Sequence, residues 1–152
     1  MNQPLPISAS VEVAAAPETV WGVVSEVTRM SEWSPECRRI VVYGSPKQGP
    51  GTKFLGLNRR GWAMWPTTSK VVRYEPGKAV AWKTRESGAT WSYEITPTAS
   101  GTRLTGRREL PSFSAATKLM APLIGGADGH DEELADGIRT TLERIKATVE
   151  RG

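Results

Sequence analysis

"AAPETVWGVVSEVTRMSEWSPECRRI", Ala15 to Ile40, changes its hydrophobic period part-way along. Pro17 suits the first turn of a helix, where its missing N–H is not needed, and Glu18 suits the positive helix N-terminus. Val20, Val23, Val24 and Val27 follow with amphipathic helical spacing. Thr28 is placed to cap a second short helix, which carries Trp33 and is ended by Ser34-Pro35. From Cys37 the pattern becomes β-branched, "CRRIVVYG", and reads as a strand. Upstream, Ile7 to Ala14 alternates around Val11 and Val13, a first strand.

Working outward, the same β pattern recurs between turn signals. "GTKFLGLNRRG" follows "GPG", then "WAMWPTTSKVVRY" closes at Glu75-Pro76-Gly77. "KAVAWKTRE" ends at Ser87-Gly88, "ATWSYEITP" before Ser100-Gly101, and "TRLTGRREL" at Pro111. Six consecutive strands joined by short turns predict an antiparallel meander. Pro66 marks a bulge or an edge position. Beyond it, Leu134, Ile138, Leu142, Ile145 and Val149 form a helical apolar stripe. Acidic residues stand early and basic ones late, as the helix dipole prefers. Upstream, Phe113, Ala116, Met120, Leu123 and Ile124 continue helical spacing. "PLIGGADGHD" between them is either a helix break or a strained stretch of one long helix. Strand, two short helices, six strands and a long helix make an α+β architecture, in which a curved sheet wraps around the helix.

Composition narrows the function classes. At 152 residues the chain is expected to be one domain, 1–152, large enough to bury a core unaided. A single cysteine, Cys37, excludes an intramolecular disulfide and fits a reducing compartment. With one histidine, His130, there is no Cys/His set for structural zinc, and neither metal nor cofactor is expected. The N-terminus has no basic residues before an apolar run, and no stretch is long enough to span a bilayer. A soluble cytoplasmic protein is the expectation. The net charge of +4 permits weak attraction to anions. Its arginine doublets, Arg38-Arg39, Arg59-Arg60 and Arg107-Arg108, lie in strands whose successive residues face opposite ways, so no nucleic-acid groove is expected.

The opening stretch resembles the START/Bet v 1-like superfamily, in its bacterial polyketide cyclase/dehydrase branch. Ala16, Pro17, Val20, Trp21, Trp33 and Pro35 carry the match. "GPGTKFLGLNRRG", "YEPGKAVAW", "TWSYEITPTASGTRLT" and "TTLERIKATVE" extend it over nearly the whole chain. The resemblance implies a helix-grip fold: a curved seven-stranded antiparallel sheet around a long C-terminal helix, with two short helices between strands 1 and 2. It also implies a hydrophobic cavity between sheet and helix, hence a small apolar partner such as a lipid or aromatic polyketide. Relatives include aromatase/cyclases, lipid or hormone carriers, stress and cell-wall proteins, and toxins of toxin–antitoxin pairs. Fold does not choose among these. A ligand carrier, a polyketide cyclase/aromatase or dehydratase, and a toxin-like or regulatory protein remain open, as monomer or homodimer.

Strand parity supplies candidate cavity residues. Trp91, Tyr93 and Ile95 share a face, as do Val80, Trp82 and Thr84, and Leu104, Gly106 and Arg108. Phe54, Gly56 and Asn58 fall together, and Trp62 with Met64. With Trp33, Met120, Leu123 and Ile124 these give a mainly aromatic and aliphatic wall with few polar groups, the composition of a ligand pocket or of a filled core. Arg108, if inward, requires an anionic partner; a bulge would instead turn it to solvent. Asn58 either orients a ligand carbonyl or hydroxyl or satisfies neighbouring backbone. Tyr93 either donates to a ligand carbonyl or is a core aromatic with a satisfied hydroxyl. Trp33 either touches ligand or closes the core beside the cavity mouth. No nucleophile motif accompanies His130, and no catalytic triad is readable. Cys37 stands beside two arginines that would lower its pKa, or is simply a small buried residue at a strand entry.

Overall fold

The computed structural model describes residues 7–44, 49–110 and 127–151, with the side chains of the last helix described from residue 135. Strand β1 (Ile7–Val13) leads to helix α1 (Pro17–Val24), a 3-10 turn (Val27–Arg29) and the single-turn helix α2 (Met30–Trp33). Strands β2 (Cys37–Tyr43), β3 (Lys53–Arg60), β4 (Ala63–Glu75), β5 (Ala79–Thr84), β6 (Thr90–Thr98) and β7 (Gly101–Glu109) follow, then helix α3 (Ala127–Glu150). The strands form one antiparallel sheet in the order β1-β7-β6-β5-β4-β3-β2. This is the expected meander, with β1 returning beside β7, and the curved sheet grips α3.

Why each element stops where it does is local. Pro17 opens α1 at its first turn, and Val20 and Val24 are buried beneath it. Thr28 lies inside the 3-10 turn rather than capping α2, whose first residue is preceded by Arg29 with no side-chain cap. The helix break at Ser34-Pro35 is as expected: Ser34 Oγ instead accepts the backbone N–H of Cys37 at 3.3 Å, starting β2.

Two bulges bend the sheet, one between Cys37 and Arg39, the other between Val71 and Arg73. Pro66 is paired with Leu57 of β3, but β5 pairing begins only at Ser69 opposite Thr84. Its missing N–H therefore faces no strand on that side.

The core lies between the concave sheet and α3. Ile138, Leu142, Ile145 and Val149 are all buried, as the stripe predicted. Each such side chain contributes roughly 1.5–3 kcal/mol relative to exposure. Helix α3 packs chiefly on β1 and β7. Gly106 permits that approach, since a Cβ there would lie 3.0 Å from Ile138 and 3.4 Å from Leu142. Near its end the helix is tied to β1: Lys146 Nζ donates to the Glu12 carbonyl at 2.7 Å, and Glu150 accepts the Ala14 N–H at 2.8 Å. The described helix includes Gly129 and His130; Phe113, Ala116, Met120, Leu123 and Ile124 lie outside the described residues.

Candidate functional site

Because α3 sits over the β1–β7 side, the hollow of the sheet is filled there and left open toward β2, β3 and β4. A cavity of about 650 Å³ occupies the remaining space. Its wall is built by strand alternation. Phe54, Gly56 and Asn58 face inward from β3, Trp82 and Thr84 from β5, Trp91 and Tyr93 from β6, and Gly106 and Arg108 from β7. Ile138 and Thr141 close it from α3. The sequence-derived residues Phe54, Asn58, Trp82, Trp91, Tyr93 and Arg108 are thus brought together around one space. Exposed lining residues, among them Pro35, Arg38, Arg60 and Asp136, mark its opening.

Trp62 and Met64 are not part of this wall. Trp62 is 93% exposed and Met64 57% exposed. The cause is the β3–β4 turn: Arg60 pairs with Ala63, leaving Gly61 and Trp62 as a two-residue loop with Gly61 at φ +61°. That is the Gly-X hairpin, with positive φ at its first central residue. Its register places Trp65 opposite Asn58, Thr67 opposite Gly56 and Ser69 opposite Phe54. Residues paired across an antiparallel ladder share a face, so Trp65, Thr67 and Ser69 of β4 line the cavity and Trp65 takes the place expected of Trp62 and Met64. Reading "RRGW" as a Gly-X turn would have found it.

Trp33 is 2% exposed and lies behind the wall, not in it. Its indole lies beside the Tyr93 hydroxyl, the Arg29 guanidinium stands 5.1 Å above its ring, and its carbonyl accepts from Arg144 at 3.3 Å. This placement is core closure. Met120, Leu123 and Ile124 lie outside the described residues.

Several polar groups of the inner wall are committed to one another. Asn58 Nδ2 donates to the Trp65 carbonyl at 3.3 Å and to Thr67 Oγ1 at 3.1 Å. A backbone carbonyl only accepts, so the amide orientation is fixed and Oδ1 is the atom left for a donor. Ser69 and Thr84 share a buried hydrogen bond of 2.9 Å. Burial pushes the Tyr93 hydroxyl well above the ordinary phenol value; the neighbouring Cys37 adds to the rise, and the nearby Trp33 indole opposes it only partly. Burial likewise raises the Cys37 thiol to about 11, and the thiol proton points weakly at the Arg39 carbonyl, Sγ to O 3.9 Å. The adjacent arginines do not activate it, because the bulge sends Arg38 to the cavity opening and Arg39 to the opposite face of the sheet. Near neutral pH both groups are protonated, which suits hydrogen bonding and not nucleophilic attack. Arg108 is 5% exposed while its neighbour Arg107 faces outward to Glu94 and Glu109, as parity required. No cluster of metal-ligating side chains exists among the described residues, and no helix there is long and apolar enough to cross a membrane.

Comparison with known proteins places this geometry. The di-domain ARO/CYC StfQ of the steffimycin biosynthetic pathway superposes with a TM-score of 0.76 at 21% identity, over 96% of this chain. The chain spans half the length of StfQ. A Polyketide_cyc-like protein of Corynebacterium glutamicum is 28% identical, with a TM-score of 0.64 over 99% of this chain and 94% of that one. The Zhui aromatase/cyclase of a Streptomyces species has a TM-score of 0.69 at 15% identity, covering 97% and 94% respectively. No curated protein is significantly similar in sequence. The family described as polyketide cyclase/dehydrase and lipid transport matches residues 5–150. Spanning almost the entire sequence and the whole described sheet and helix, that match makes the chain a member of the polyketide cyclase/dehydrase and lipid transport family.

Proposed function

We propose that the protein binds a hydrophobic small molecule, of lipid or aromatic polyketide type, in the cavity between sheet and α3. The observation that carries this reading is the 650 Å³ hollow walled by Phe54, Trp65, Trp82, Trp91 and Tyr93. Pockets of this size and composition accept ligands that bury most of their surface. Asn58 Oδ1 accepts a ligand hydroxyl, and Arg108 attracts a carboxylate or enolate end. Its free, buried Cys37 fits a reducing compartment, and we place the protein in the cytoplasm, as monomer or homodimer. Native mass spectrometry of protein purified from its own host, with Nile red displacement alongside, tests the assignment. A co-purifying apolar adduct that competes with the dye is the expected result. Absence of both adduct and dye binding overturns it.

A second reading, cyclisation or dehydration of a poly-β-ketone, is favoured by the buried arginine and the protonated phenol of Tyr93 on the same wall. Orientation of a flexible chain supplies much of such a rate gain, and the cavity needs no triad to provide it. Turnover of a poly-β-ketone surrogate that falls with Tyr93→Phe and Arg108→Met favours this reading. Tight binding without turnover leaves the carrier.

A further inference from the structure

The outward face of β2 to β5 carries a pattern that the fold itself does not need. Tyr43, Lys53, Lys70 and Lys83 stand directly opposite one another in a single cross-strand row, all exposed. Like charges so placed destabilise a sheet. None of the three lysines meets a carboxylate among the described residues. Next to the row lies an apolar band: Val41 and Leu55 are each 43% exposed and Leu57 37% exposed, with Pro66 beside them. Arg39, paired with Leu57, and Arg59, paired with Met64, continue the positive charge past the band. At the hairpin tip stands Trp62, almost wholly in solvent. Glu86, close to this face, has its carboxylate engaged by the Thr68 N–H at 2.6 Å.

We propose that this face docks on an anionic phospholipid bilayer, with β3 and β4 lying flat and Trp62 and Met64 set among the headgroups. A Trp ring is favoured at the membrane–water boundary. The lysine row and Arg39 then meet negative lipid headgroups, which turns an unfavourable like-charge row into a favourable one. The apolar band supplies area that electrostatics alone does not. A second copy of the chain is a poorer occupant, since pairing this face with itself brings cations against cations. The docked orientation also holds the β3–β4 tip at the bilayer, and Arg60 and Gly61 beside it line the cavity. The proposal does not depend on what the cavity holds.

The test is co-sedimentation of the full chain with vesicles of phosphatidylcholine containing one quarter phosphatidylserine, against pure phosphatidylcholine vesicles, duplex DNA, and sedimentation of the protein alone. Binding is expected on the anionic vesicles only. It is lost at high salt, where the screening length falls to about 3 Å. Each removed cation weakens it about fivefold, and Trp62→Ala weakens it further. Lys70→Glu is the discriminating variant: relief of the like-charge row raises its thermal midpoint while vesicle affinity falls, which no loss of folding produces. Equal or absent binding on both vesicles overturns the proposal, as does indifference to Trp62→Ala and Lys70→Glu. Tighter binding to DNA, or a dimer that Trp62→Ala dissociates, overturns it also.

Discussion

Asn58 and Trp65 stand directly opposite each other across β3 and β4, and the Asn58 amide donates to the Trp65 carbonyl at 3.3 Å. This pair fixes which tryptophans belong to the cavity. Its side-chain bond reinforces the register that the Gly61-Trp62 loop sets, and a one-residue slip would exchange the two faces of β4.

Trp65→Ala is therefore expected to enlarge the cavity, weaken Nile red binding and lower stability by about 1–3 kcal/mol for a half-buried ring. Trp62→Ala leaves both within about 0.5 kcal/mol of the parent. Urea denaturation and dye titration of the two variants check the contrast. Equal effects would place the register wrongly.

Arg108 distinguishes ligands by charge. Arg108→Met retains the length of the side chain without its charge. The variant is expected to bind anilinonaphthalene sulfonate about 10- to 100-fold more weakly, the worth of a charged hydrogen bond. Nile red, which is neutral, binds it unchanged. Parallel fluorescence titrations read the difference.

The contact between the Trp33 indole and the Tyr93 hydroxyl makes a stability prediction. Tyr93→Phe removes the buried hydroxyl, at a cost of about 0.5–1.5 kcal/mol. Trp33→Phe loses that contact and ring volume together. In a double-mutant cycle the combined loss is smaller than the sum, because the second change removes a group whose contact is already lost. Additive losses would show that the two side chains do not interact.

Cys37 leads the alkaline response from pH 9.0, and above pH 10.0 the buried Tyr93 hydroxyl adds to it. Its thiol rises from an ordinary 9.0 to about 11 on burial, so the folded chain holds the proton more tightly than the unfolded one. The resulting stabilisation is complete below pH 9.0 and is lost as pH climbs toward about 11. Cys37→Ala is expected to flatten the decline over that interval, measured by urea unfolding. Alkylation of the wild-type thiol at pH 8 should be slow until denaturant is added.

Much of the fold was legible because its signals are local. Pro17, the Val20–Val27 spacing and Ser34-Pro35 each act within a few residues, and period-two alternation survives wherever a strand lacks a bulge. Hence parity grouped Phe54 with Asn58, Trp82 with Thr84, Trp91 with Tyr93 and Leu104 with Arg108, and the cavity implied by the family resemblance joined these sets into one wall. Parity does not carry across a turn, however. The inward set of β4 depended on how many residues Gly61-Trp62 used to reverse the chain, and Trp65 was missed for that reason. Trp33 was ambiguous for a different cause. Two of its surroundings, Tyr93 and Arg144, come together with it only in three dimensions, and nothing near it in sequence announces them.

Gly106 has a wider bearing than its own contacts. The seat of α3 on β7 is set by a position with no side chain, so the helix leans to one flank of the sheet and the chamber opens on the other. Chamber size is therefore a matter of leverage as well as lining. A methyl group at 106 would press on Ile138 and Leu142, which must give by a few tenths of an ångström, and so adjust the space without altering one aromatic residue. In this fold the roof sets the chamber as much as the walls do.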